Sequence, residues 1–203
     1  MTVYVESNFV LEQSLQQEEC DSCAEIIHLA SDGRITLAVP AFCLAEPHVA
    51  ILGKEKARAR LSNDLRTHLS ELGRSKPHRA VPATFEALAE VLIASAQFER
   101  DGLRDTISEL LRAADVIALD IPVLRSAADI QAESGMSGQD AIVLASVLAH
   151  LDLHNPPESC FLNRNSRDFD DPDVRGRLEA HGCKFFAKFE DGLRYVVARI
   201  ETS

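Results

Sequence analysis

The chain has 203 residues, with 32 Asp and Glu against 21 Lys and Arg, a formal net charge of −11, 46% hydrophobic and 5% aromatic residues. A chain of this length buries about 70% of its extended surface on folding, so its five cysteines, an odd number, are not needed as a disulfide framework. With no apolar run near the roughly 18–20 residues of a membrane span, and no basic-then-apolar leader in MTVYVESNFVLE, the reading is a soluble, unexported, cytoplasmic protein without a membrane partner.

Val3-Tyr4-Val5 is short and rich in strand formers, and Ser7 and Asn8 punctuate it before an apolar-periodic stretch, which predicts strand, turn and helix. Residues 22–30 set Ala24, Ile27 and Ala30 at helical spacing until Asp32-Gly33 stops them, and residues 35–39 are a β-branched run ended by Pro40. From about 41 to 114 the chain reads as helix, with Leu61, Leu65, Leu69 and Leu72 as one stripe. Phe85, Leu88 and Leu92 form a second stripe, and Leu103, Ile107, Leu110 and Ala114 a third. The stretch 73–82, with Pro77 and Pro82, reads as a loop between the first two. A third strand is expected at 116–119, a helix started by Asp120 and Pro122, and a helix over 137–149 that is apolar almost all round after Asp140 and so buried. Residues 160–162 and 184–186 read as strands four and five, with a short helix over 174–180 between them and a last helix over 191–201.

Alternating strands and helices predict an α/β fold whose mostly parallel, five-stranded sheet is covered on both faces. A parallel crossover needs only a dozen or so residues, so 50–114 is read as a helical insertion between strands two and three, within one domain spanning 1–203.

In such a sheet, ligands bind beyond the carboxyl ends of the strands. Connectivity sends four acids there. Glu6 follows strand one, Glu46 lies shortly beyond strand two, Asp140 opens the helix that runs antiparallel to strand four, and Asp168 follows strand four with Asn165 three residues before it. Grouped carboxylates raise one another's pKa unless a cation neutralises them. An all-oxygen set suits Mg²⁺ or Mn²⁺, and the chemistry implied is phosphodiester hydrolysis by metal-activated water.

YVESNFVLE, the Glu46 of PAFCLAEP, the block SGQDAIVLASVLAH and FLNRNSRDFDDPDV occur in the order and spacing of the PIN-domain nucleases, which the chain resembles from strand one through strand five. The resemblance implies a three-layer α/β/α sandwich and a metal-dependent nuclease site, with RNA as substrate in many members, the VapC-like toxins of toxin–antitoxin pairs among them. It implies Glu6, Glu46, Asp140 and Asp168 as catalytic metal ligands, with Ser7 and Asn165 accompanying them in cofactor binding. An antitoxin protein and a second copy of the chain are the partners it adds to RNA. Three positions depart from the family pattern. Glu6 stands where the family has Asp, one methylene longer; Asn165 stands where many members have an acid; and Pro47 directly follows Glu46, where it would distort a helix outside its first turn.

Other features have plainer readings. Cys20 and Cys23 lack the second pair of a zinc site, and His150 and His154, four apart, lack the glutamate and third ligand of a zinc protease. The alternative function from a different class is a non-catalytic PIN-fold module that binds nucleic acid or protein. Charge distribution bears on both readings, because residues 54–79 carry eight basic against three acidic side chains, a local +5 in a chain whose remainder is −16. A basic helix and loop of this kind can hold a phosphate backbone, or can be a solvated face of mixed charge.

Overall fold

Five short runs of Val, Leu, Ala, Ile and Phe form the strands: β1 (Thr2–Val5), β2 (Thr36–Pro40), β3 (Ala114–Ile117), β4 (Ser159–Leu162) and β5 (Cys183–Phe186). The computed structural model describes residues 1–78, 81–165, 169 and 171–201. In it the strands pair all-parallel in the order β3-β2-β1-β4-β5. Their carboxyl ends therefore share one edge, with β1 at its centre. The pairing of Val5 with Leu162 brings the residues that follow, Glu6 and Asn163, out side by side.

The third strand begins two residues earlier than its sequence suggests. Its register with β2 runs from Leu37↔Ala114 to Pro40↔Ile117, and an edge strand has no other neighbour. Where β2 stops, residues 118 and 119 lose their ladder. Asp120 then caps the next helix, accepting from the Val123 N–H at 3.0 Å.

Helices α1 (Ser7–Ser14), α2 (Cys20–Ser31), α3 (Ala41–Gly73) and α4 (Val81–Ala113) precede β3. A 3₁₀ turn, Lys76–His78, lies in the connection after α3. After β3 come α5 (Ile121–Ser134), α6 (Gly138–His154), α7 (Pro172–Ala180) and α8 (Phe189–Ile200). Both α2 and α6 pack on β2 and β3 without packing on each other, so they cover opposite faces. Helix α8 joins α2, and α5 joins α6. The result is the three-layer α/β/α sandwich expected. Helix α6 is apolar all round because it is enclosed, with Ala141, Val143, Leu144, Ala145, Val147 and Leu151 all buried. Among the described residues no helix is long and apolar enough to cross a membrane.

Helices α3 and α4 have 33 residues each, about 50 Å at 1.5 Å per residue. They pair antiparallel, with Arg58 on Glu99 and Arg100 on Glu55, both at 2.6 Å. Toward the root of the pair, Cys43, Leu44 and Ile51 of α3 and Ala96, Leu103 and Leu110 of α4 are all buried. Further out, Leu61, Leu65, Leu72 and Leu88 are 38–59% exposed. Leu103 and Leu110 of the third stripe are thus core, while most of the first stripe and Leu88 of the second are surface, because two helices alone cannot enclose both their apolar faces. The second and third stripes share α4. Pro47 lies inside α3, in its second turn rather than its first. The helix runs through it and leaves the Cys43 carbonyl, four residues back, without its N–H.

Gly102 seats this root on helix α1. A Cβ there would fall 2.3 Å from the Ser14 carbonyl oxygen of α1. Gly102→Ala is expected to cost about 1–3 kcal/mol by forcing the backbones apart, which lowers the melting temperature by roughly 3–9 °C. Gly53→Ala, in open space on the same pair of helices, is expected instead to stabilise by about 0.5–1 kcal/mol. Thermal unfolding of the two variants checks both signs.

Candidate functional site

Glu6 is the N-cap of α1, where β1 turns into helix. It is 6% exposed, and its Oε1 is buried without a hydrogen-bond partner among the described residues. Burial pushes its carboxyl up to about 8; the polar groups of Asn8 oppose this, and the neighbouring Glu46 and Asp140 carboxylates push further in the same direction. Glu6, Glu46 and Asp140, far apart in sequence, therefore feel one another at the carboxyl edge of the sheet.

Glu46 sits in the second turn of α3. Its Oε2 accepts the Ser7 hydroxyl, which ties the first turn of α1 to α3. Cys43, one turn before Glu46 and fully buried, lies against the same groups. Burial pushes its thiol up, and Glu6 and Glu46 add to this against a hydrogen bond with Ser7. A thiol so buried and so pushed has little thiolate character.

Asp140 opens α6. The Ser137 hydroxyl accepts from the Asp140 N–H at 3.1 Å and donates to Asp140 Oδ2 at 2.6 Å. Its capping bond is therefore made by Ser137, and the Asp140 carboxylate remains turned toward Asn165, whose Nδ2 donates to Oδ1 at 3.4 Å. Capping by Ser137 thus leaves Asp140 Oδ1 to Asn165 within one S-x-x-D segment. Asn165 belongs to the turn after β4, where its N–H donates to Asn163 Oδ1 at 2.7 Å. Asp168 lies outside the described residues, as does Arg79 of the basic segment.

Sequence reasoning passed over Asn163. It is 1% exposed, its Oδ1 holds the turn that carries Asn165, and its Nδ2 is buried without a partner among the described residues. The signal was its position directly after the last residue of β4, abreast of Glu6. The remaining motifs stay structural. All five cysteines are free. The Tyr4 hydroxyl hydrogen-bonds His150 Nδ1 at 2.9 Å while the His150 and His154 rings stand 4.0 Å apart.

The donors brought together are oxygens from Glu6, Glu46 and Asp140, with Ser7 and Asn165 beside them. A buried carboxylate oxygen with no partner, next to two further carboxylates, is the kind of site a hard divalent cation neutralises. Among the described residues no three His, Cys, Asp or Glu side chains close around a point by themselves. Mg²⁺ keeps several waters and takes one or two protein carboxylates, so an open set of this kind fits it.

A family model described as a PIN domain matches residues 3–169, which takes in β1 through β4 and every one of these side chains. No curated protein matches the chain.

Proposed function

The chain belongs to the PIN-domain family, a nuclease-type fold, and from that premise we propose that it is a Mg²⁺- or Mn²⁺-dependent endoribonuclease. The observation that carries this reading is the buried, unpartnered Glu6 carboxylate oxygen within electrostatic reach of Glu46 and Asp140. Residues 1–203 are taken as one domain, with the 50–114 helices as its elaboration.

In this reading Glu6, Glu46 and Asp140 hold the cation, with Asp168 as the fourth ligand. The bound cation supplies a lowered pKa for an attacking water and stabilises charge on the leaving oxygen. The rest is done by the chain. Ser7 fixes the Glu46 carboxylate, Ser137 and Asn165 fix that of Asp140, and Asn163 holds the turn presenting Asn165. Glu46 and Asp140 are then oriented before substrate arrives, as hydrogen-bonded partners of metal ligands generally do. Besides Arg58, which Glu99 holds, six exposed cationic side chains along α3 and the turn after it, from Lys54 to Lys76, offer a track for a phosphate backbone leading away from the carboxylates.

A narrower form makes the chain the toxin of a toxin–antitoxin pair, acting on cytoplasmic RNA, with an antitoxin protein and a second copy of itself as partners. The exposed leucines of α3 and α4 support it as apolar surface in want of cover.

Incubation of single-stranded RNA with the purified protein tests the central proposal. Cleavage is expected in millimolar Mn²⁺ or Mg²⁺, abolished by excess chelator and restored by returning the ion. Binding of RNA with no cleavage under any divalent cation would instead support the non-catalytic module.

A further inference from the structure

Beside the carboxylates lies a cleft of about 630 Å³ that the reaction as described does not use. That volume falls within the roughly 300–1,000 Å³ of small-ligand pockets. Two of its walls are shared with the site: Asn8 is the residue whose polar groups act on Glu6, and Asn165 is the one that donates to Asp140. The other side carries two cations, Lys54 from α3 and Arg164 from the turn after β4, with Leu11 as apolar floor.

The two cations are held differently. Arg164 is anchored from below by Glu12, whose side chain is only 2% exposed and which also accepts from the Glu19 N–H at 2.6 Å. This pair fixes the guanidinium while leaving the Arg164 side chain 38% exposed. A second carboxylate, Glu18, reaches Arg164 only loosely, at 3.7 Å, and is itself 82% exposed. Lys54, two turns beyond Glu46, has no ion-pair partner among the described residues. In that it differs from Arg58 one turn on, which is committed to Glu99. One fixed guanidinium, one free ammonium and a displaceable carboxylate make a site that an incoming anion can take over.

We propose that this cleft binds the nucleotide adjoining the scissile phosphate of single-stranded RNA, with Lys54 and Arg164 on its backbone phosphate, Leu11 under its sugar or base, and Glu18 displaced on binding. It rests on the nuclease reading above and names the first subsite of the strand. The occupant is single-stranded because Leu11, the apolar residue lining the cleft, takes the face of an unpaired base, which a duplex keeps to itself.

Fluorescence anisotropy of a labelled single-stranded RNA, measured in chelator so that no cleavage occurs, tests it. Lys54→Ala is expected to weaken binding about three- to ten-fold and to reduce the slope of log K against log salt by about 0.7, the loss of one phosphate contact on a single strand. Glu18→Gln is expected to tighten binding. Both side chains are exposed, so neither change threatens the fold. For Arg164 the double variant Glu12→Gln, Arg164→Gln avoids stranding a buried carboxylate and is expected to weaken binding as Lys54→Ala does. Arg34→Ala, exposed at the opposite edge of the sheet, is expected to bind as wild type. The proposal is overturned if Lys54→Ala and Glu18→Gln both leave affinity and salt slope unchanged, if wild type fails to bind, or if a duplex binds as tightly with the same dependence on Lys54. Because no divalent ion is present, these outcomes are independent of whether Mn²⁺ later supports cleavage; a protein that cleaves but ignores Lys54 loses the subsite and keeps the nuclease reading.

Discussion

Asp140→Asn is expected to reduce Mn²⁺-dependent RNA cleavage at least about 100-fold while leaving the melting temperature of the metal-free protein nearly unchanged. Side chains that merely support metal ligands cost roughly 10–100-fold when removed, and loss of a ligand's charge sets that as the floor. Stability is spared because the asparagine keeps the shape of the side chain and α6 keeps its cap, which the Ser137 hydroxyl supplies to the residue 140 N–H. Ser137→Ala is the complementary change. It removes the cap, worth about 1 kcal/mol, and frees the carboxylate. Single-turnover cleavage together with thermal unfolding separates the two variants. An Asp140→Asn protein that cleaves as fast as wild type would sink the assignment of Asp140 and, with it, the carboxylate site as drawn, while the absence of cleavage by wild type is what would sink the nuclease reading.

Glu6→Gln is expected to raise the stability of the metal-free protein at alkaline pH while abolishing cleavage. Burial holds the folded Glu6 carboxyl at about 8, well above its unfolded value of about 4.3. Between those limits the folded state binds more protons than the unfolded one, so stability falls as pH rises through the window and levels off above pH 8. Glutamine at position 6 removes the dependence. Wild type and variant are expected to melt alike near pH 4 and to diverge by about 2–4 kcal/mol, roughly 5–15 °C, at pH 8.5. Millimolar Mn²⁺ is expected to narrow the difference, since an ion that binds only the folded wild type stabilises it. A melting-temperature profile from pH 4 to 9, with and without Mn²⁺, reads both effects. Parallel profiles for wild type and variant would show that Glu6 is not the strained group that burial makes it.

The edge of the sheet was legible because its logic is local. Short apolar runs bounded by Ser, Asn, Asp, Gly and Pro announce strands, and a parallel sheet delivers whatever follows each strand to one side. That is why Glu6, Glu46 and Asp140 could be brought together from connectivity. The start of β3 was not legible, because an edge strand begins and ends where its neighbour permits, and β2 stops at Pro40. Asn163 was missed because an asparagine after a strand looks like ordinary turn chemistry. Only enclosure makes its unpaired amide notable.

The hydrophobic period and the acids at strand ends were therefore enough, in the sequence alone, to establish an α/β sandwich with a carboxylate-bearing edge, since both depend on alternation along the chain. Tertiary structure decided what depends on distance through space. Leu61, Leu65, Leu72 and Leu88 are surface while Leu103 and Leu110 are core, because only the root of α3 and α4 meets the sheet. Of the +5 in residues 54–79, Arg58 is consumed by Glu99 and Lys54 faces the cleft beside the acids. The −11 of the whole chain matters less than this, because a charge acts strongly only over about a Debye length, roughly 8–10 Å, and it is folding that sets which charges stand that close.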